Sequence, residues 1–332
     1  MDPLEIAAGL EAHGVTDRTA ARFRHRDVFS LAEEMYARAS RDAEPRTPRA
    51  APAPSGSRTA TWAVLTLLPG ALSVAVVAGW RFTDGQPRPV AAAVAVLAVA
   101  AGLAAAVRRG PLRATARTSA GTRTWTYGLI AYALFGNGLL RAGLDGGPDE
   151  LWPVATPSLL ALTLSCAPAA WCAHLFDLRA RRRLTASRGL DEFAASVRPL
   201  LFGVFGLFLC ALWALLALCG ALLDEPVAHA GAGALGALLM LARLLTTHGF
   251  THAPAVVVRA AGVAEATALA TVFAGRLPGL HAVSTPVESA VRTCGPGVVP
   301  AAVCGAAALV LLLHSARTLT RASAHATPSE AP

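Results

Sequence analysis

Between Thr61 and Ser315 the chain runs through eight apolar stretches, 61–80, 89–107, 124–140, 152–176, 199–223, 227–247, 255–275 and 297–315. Each approaches the ~20 residues that an α-helix needs to cross a bilayer. In lipid every backbone N–H and C=O must be satisfied within the protein, and continuous apolar runs of this length meet that demand as helices. The expected fold is therefore all-α, a polytopic transmembrane helical bundle of about eight helices over residues 61–316. No internal repeat is visible, so the pattern carries no inverted-repeat transporter signature.

Composition agrees. Of 332 residues, 54% are hydrophobic and only 15% charged, too apolar a balance for an ordinary soluble domain. All 29 basic residues are Arg, and the net charge of +8 is concentrated between the apolar runs. The segment after the second run carries Arg108, Arg109, Arg113, Arg117 and Arg123 with no acid, and the one after the fourth carries Arg179, Arg181, Arg182, Arg183, Arg188 and Arg198. By the positive-inside rule both are cytoplasmic, which places the N- and C-termini in the cytoplasm of a plasma-membrane protein. Only Arg81, Arg88, Arg141, Arg276 and Arg292 fall on the outer side. The charge then reads as contact with anionic lipid headgroups, at roughly 1 kcal/mol per basic residue near the surface, rather than with nucleic acid. The seventh run holds both Arg259 and Glu265; were it not to cross, the C-terminus would lie outside.

Residues 1–45 are polar and periodic, and read as a small cytoplasmic helical module. Leu4, Ile6, Ala7 and Leu10 outline a first helix ending at Gly14; Thr16 or Asp17 caps a second; Asp27 opens a third, whose Phe29, Leu31, Met35 and Tyr36 form an apolar stripe with Val28 while Glu33 and Glu34 face water. So short a module buries too little to stand alone, which makes Phe29, Leu31, Met35 and Tyr36 candidate docking residues for a cytoplasmic protein partner. A Pro/Ser-rich linker (46–60) follows, and residues 317–332 form a cytoplasmic tail.

Glu265 is the candidate intramembrane carboxylate, with Arg259 or Arg243 as its prospective partner, because an ionisable group deep in a bilayer is costly enough to imply a role. Asn137, between two glycines near the outer end of the third run, suggests close helix packing or a substrate contact. Pro69, Pro157 and Pro168 are potential kinks. Of the cysteines, only Cys294 falls outside an apolar run, and no C-x-x-C spacing occurs. His248 and His252 lack acidic neighbours that would complete a metal site. Neither a cofactor nor a metal is expected, and no nucleophile-elbow, zincin, P-loop or paired-carboxylate motif is present.

Gly14-Val15-Thr16-Asp17-Arg18-Thr19-Ala20-Ala21-Arg22-Phe23 resembles the turn and second helix of helix-turn-helix domains. Leu10 departs from that pattern, which has a small residue four before the turn glycine, and the near balance of acids and bases in the module argues against DNA. Over Val15 to Leu31 and in overall composition the chain also resembles multi-pass integral membrane proteins of Streptomyces and related actinobacteria, a likeness that carries no activity or catalytic residues with it. Two functions follow as expectations. The first is a non-enzymatic membrane scaffold or assembly protein with a cytoplasmic docking module. The alternative is a transporter or lipid-handling exporter that uses the intramembrane carboxylate.

Overall fold

A computed structural model describes residues 6–7, 10–11, 15–42, 56–82, 88–109, 112–113, 120–145, 155–186, 190–225 and 229–319. The chain separates into two compact units, Met1–Thr59 and Ala60–Pro332, and every regular element among the described residues is helical.

In the first unit, helical residues at 6–7 and 10–11 precede α1 (Asp17–Arg22) and α2 (Val28–Asp42). Asp27 opens α2 as expected: its Oδ1 accepts the Ser30 N–H at 2.8 Å, and its own N–H donates to Ser30 Oγ at 3.3 Å. This reciprocal arrangement follows the logic of a capping box. The expected capping of α1 differs. Thr16 holds the N-cap position without a side-chain capping bond, and the Asp17 carboxylate reaches across to accept the Val28 N–H at 3.0 Å. Two carboxylates thus meet the positive end of α2, where the helix dipole favours them.

The buried residues of this unit are Ala7, Ala20, Val28 and Ala32, flanked by Ile6, Leu10 and Leu31. The expected single stripe on α2 is in fact split between two faces. Leu31 packs against the core, whereas Phe29, Met35 and Tyr36 are exposed, as is Phe23. Gly14 and most of the expected 46–60 linker lie outside the described residues, but residues 56–60 belong to α3 (Gly56–Phe82).

The second unit continues with α4 (Arg88–Arg109), α5 (Ala120–Ala131), a π-helical turn (Tyr132–Gly136), α6 (Asn137–Asp145), α7 (Thr156–Leu164), α8 (Cys166–Ala186), α9 (Leu190–Leu223), α10 (His229–Thr247), α11 (His252–Ala274), α12 (His281–Cys294) and α13 (Val298–Thr318). Each of the eight apolar runs forms helix over most of its described residues. Among the described residues six stretches are long and apolar enough to cross a membrane: Trp62–Gly79, Thr156–Arg183, Ala194–Leu223, His229–Thr247, His252–Ala274 and Val298–Thr318. Leu97–Arg108 is a shorter apolar helix, and the third run is divided by its π turn.

Pro168 accounts for the break between α7 and α8. Its ring removes one donor and crowds the preceding turn, and the helix opens into a turn at Ser165, whose hydroxyl donates to Leu162 O at 2.7 Å. Pro157, expected as a second kink, lies instead in the first turn of α7, where its missing N–H costs nothing. Helix α3 passes through Pro69 uninterrupted.

Contacts set the helix directions. A Cβ added at Gly231 would stand 2.9 Å from the Pro300 side chain, and one at Gly305 would stand 4.0 Å from Ala234, so α10 and α13 run parallel. Helix α11 lies antiparallel to α13: Glu265 meets Cys304, and Val272 shares a cluster with Val299. It runs parallel to the 120–145 segment, with Gly262 against Trp125 and Gly143 against Val272. Helix α3 opposes α7 and α8, since Trp62 packs on Trp171 at 4.9 Å and Gly70 on Leu164. The core between α8, α9, α10 and α13 is filled by Phe176, Phe208, Leu212, Leu238, Leu241 and Leu311. The glycines of α10 admit close neighbours, with Gly233 against Trp213 and Gly236 against Leu212.

Helix α12 has no counterpart among the expected elements. Its Ser, Thr, Pro286, Glu288 and Arg292 give it the composition of a loop, yet Ser284 and Val291 are buried on one face. Cys294, assigned to a loop by sequence, is its last residue.

Candidate functional site

Glu265 sits midway along α11 and is only 2% exposed. Its partner is neither of the expected arginines. The Cys304 thiol of α13 donates to Glu265 Oε1 at 3.2 Å, while among the described residues Oε2 has no hydrogen-bond partner. A thiol is a weak donor, so the carboxyl is held by one modest bond in apolar surroundings.

Tyr132 comes to the same place from the third run. It opens the π turn, and it packs in the same cluster as Ala268 and Leu269, one turn along from Glu265, and Val303, next to Cys304. The Tyr132 hydroxyl is also buried without a hydrogen-bond partner among the described residues, as is Asn137 Oδ1 at the end of the turn. In a π turn the widened hydrogen-bond ring displaces a backbone carbonyl, and such turns recur at functional positions. Here Leu134 O accepts the Ala155 N–H at 3.3 Å, which ties the turn to the start of α7.

The two glycines flanking Asn137 were expected to admit a neighbouring helix. At Gly136 the space goes elsewhere, because a Cβ there would stand 2.7 Å from the Tyr132 ring. The missing side chain lets the phenol fold along its own helix, and Tyr132 then packs with Leu140, Val272 and Val299. The sequence reading missed Tyr132 and Cys304. Tyr132 has the look of an ordinary membrane-helix aromatic, and Cys304 that of a small apolar filler. The only local signal was Gly136 four residues after Tyr132, the distance of one helical turn.

The expected arginine partners have other work. Arg243 Nε donates to Leu112 O at 2.8 Å and Nη2 to Val107 O at 3.4 Å, so α10 holds the end of α4 and the segment beyond it. Arg259 is exposed beside the start of α5, with its guanidinium near Gly121. Arg276, treated by sequence only as an outer-loop charge, repeats the Arg243 arrangement: Nε donates to Gly143 O at 2.7 Å and Nη2 to Ala142 O, satisfying carbonyls at the end of α6. A guanidinium fork suits paired carbonyls at the negative end of a helix.

Among the described residues no three His, Cys, Asp or Glu side chains gather in a way that would hold a metal ion. The His248 ring packs edge-on against Phe176 at 5.7 Å, and His174 packs on Trp62 at 5.0 Å. What the Glu265 cluster offers chemically is one carboxyl, one phenol and one thiol in a buried setting. These groups are suited to holding or passing a proton, and no cofactor is needed for that. No protein-family model, no curated protein and no solved structure matches the chain.

Proposed function

We propose that this chain is a membrane scaffold: an eight-span bundle with both termini in the cytoplasm, presenting its N-terminal module to a protein partner. The observation that carries the reading is the inverted composition of that module. Its small residues Ala7, Ala20 and Ala32 are inside, while Phe23 (65% exposed), Phe29 (53%) and Met35 (44%) are outside. Large apolar side chains left in water around an alanine core mark a surface that is covered in the working protein. Glu33, exposed between Phe29 and Met35, favours a protein surface over anionic headgroups as the cover.

The helix directions support eight crossings. Parallel pairs (α10 with α13, 120–145 with α11) and antiparallel pairs (α11 with α13, α3 with α7–α8) are those of a chain that reverses at every run. On this reading, taken with the arginine bias, residue 250 and the C-terminus lie on the cytoplasmic side and residue 278 outside. Reporter fusions at 145, 225, 250, 278 and 325 test that arrangement, and two adjacent fusions on the same side would remove a crossing. The docking role is tested by a photoreactive amino acid at Phe29 in the full chain in native membranes. One discrete protein adduct that disappears on Phe23→Ser/Met35→Ser supports it; labelling of lipid alone defeats it.

A second reading, proton-linked transport through the bundle, is favoured by one specific observation. Among the described residues Glu265 Oε2 and the Tyr132 hydroxyl are both buried without hydrogen-bond partners, and Tyr132 packs against Ala268 and Leu269 on the helix that carries Glu265. In lipid such groups cost several kcal/mol, and they persist where they are used. Loss of flux in Glu265→Gln with the protein still folded would move this reading to first place.

A further inference from the structure

An open groove runs between the C-terminal half of α8 and the N-terminal half of α9, with a volume of about 330 Å³. Arg179 and Arg183, one helical turn apart, line one end, and Leu175 and Leu207 line the other. From Arg183 to Leu175 is eight residues, or about 12 Å of helix rise. The floor is open at Gly203, where an added Cβ would meet no atom within 4 Å. Among the described lining residues there is no acid; the nearby Asp177 is paired with Arg181 at 2.9 Å.

We propose that this groove binds one anionic phospholipid, its phosphate between Arg179 and Arg183 and its glycerol and upper acyl chains along Gly203, Val204 and Leu207. The site rests on the membrane reading above and gives it a specific ligand. Charge falls from two guanidinium groups to none over the length of the groove, which is the polarity profile of a phospholipid lying along a helix pair. Free phosphate would satisfy the arginines and leave the apolar half of the groove exposed. Two exposed arginines a turn apart present fork donors to the oxygens of one phosphate diester. The volume falls within the range of small-ligand clefts.

The test is native mass spectrometry of the full-length protein released from detergent with added phosphatidylglycerol or phosphatidylcholine. Wild type is expected to retain phosphatidylglycerol at least about tenfold better than phosphatidylcholine. Arg179→Gln/Arg183→Gln should remove that preference. Gly203→Leu should lower retention of both lipids, because it fills open space without touching protein. Gly206→Leu, at a position equally open and outside the groove, should behave as wild type. Equal retention of the two lipids by wild type, or an unchanged preference in the double arginine variant, overturns the proposal. Displacement of the lipid by inorganic phosphate alone overturns it in favour of a soluble phosphate ligand. Carbonate extraction is the separate check: release of the chain without detergent would defeat the membrane reading itself, whatever the lipid result.

Discussion

The Cys304 thiol and the Glu265 carboxyl meet at 3.2 Å across α13 and α11, and this contact pins the two helices in antiparallel register. On one side Val272 faces Val299; beyond it Tyr132 closes the cluster from the third run. The run that carries the buried carboxyl is thereby packed against both the third and the eighth runs.

Removing the thiol leaves a second carboxyl oxygen without a partner. Cys304→Ala should destabilise the full-length protein in detergent by about 1–3 kcal/mol, and Cys304→Ser, which keeps a donor, by less than half of that. Thermal unfolding of the two variants checks this; equal midpoints would show that the contact contributes nothing.

Gly136 and Tyr132 should behave as a coupled pair. Gly136→Ala forces a methyl against the phenol ring and is expected to cost about 1–3 kcal/mol, while the same change in a Tyr132→Ala background should cost no more than ordinary helix substitution. A double-mutant cycle reads the difference, and additive effects would mean that the ring does not occupy this space. Tyr132→Phe alone should be neutral or stabilising, because it removes a buried unpartnered hydroxyl.

Arg276→Gln should loosen the end of α6, since Ala142 O and Gly143 O lose a charged donor; a loss of about 1–2 kcal/mol is expected. Arg276→Lys should recover less than half, because a single ammonium does not reproduce the fork. Hydrogen exchange across residues 137–145 localises the effect. Faster exchange spread evenly through the bundle would point to global destabilisation instead.

The first turn of α2 should loosen in acid. The Ser30 backbone N–H is the main group that holds the Asp27 carboxyl below its usual value, helped by the Ser30 hydroxyl and Arg26. A depressed folded value means that this contribution is fully present above the unfolded carboxyl's ordinary range, near 4, and is lost as pH falls through the folded value. Exchange at Val28 to Leu31 in the full chain should therefore rise below about pH 4, and in Asp27→Ala it should already be fast at neutral pH. Protection that persists in the variant would shift the capping role to Asp17.

Much of the architecture was legible along the chain because lipid leaves the backbone few choices. Runs such as 199–223 and 297–315 become helices whatever their neighbours are, and Pro168 breaks its helix through an effect confined to one turn. Asp27 marks the start of α2 for the same local reason. Other features depended on what a residue meets across the bundle. Whether Arg243 turns to Glu265 or to the carbonyls of Val107 and Leu112 is decided by where α4 ends relative to α10. That Gly136 serves Tyr132 follows from the π turn, and that α12 is a helix follows from burial of Ser284 and Val291 against its neighbours. The sequence by itself determined the all-helical class, the long apolar helices and the carboxyl set among them, because apolar length and backbone satisfaction act on each segment separately. Only the tertiary structure decided the company Glu265 keeps, because hydrogen bonds and close packing depend on distances between segments that no spacing along the chain records.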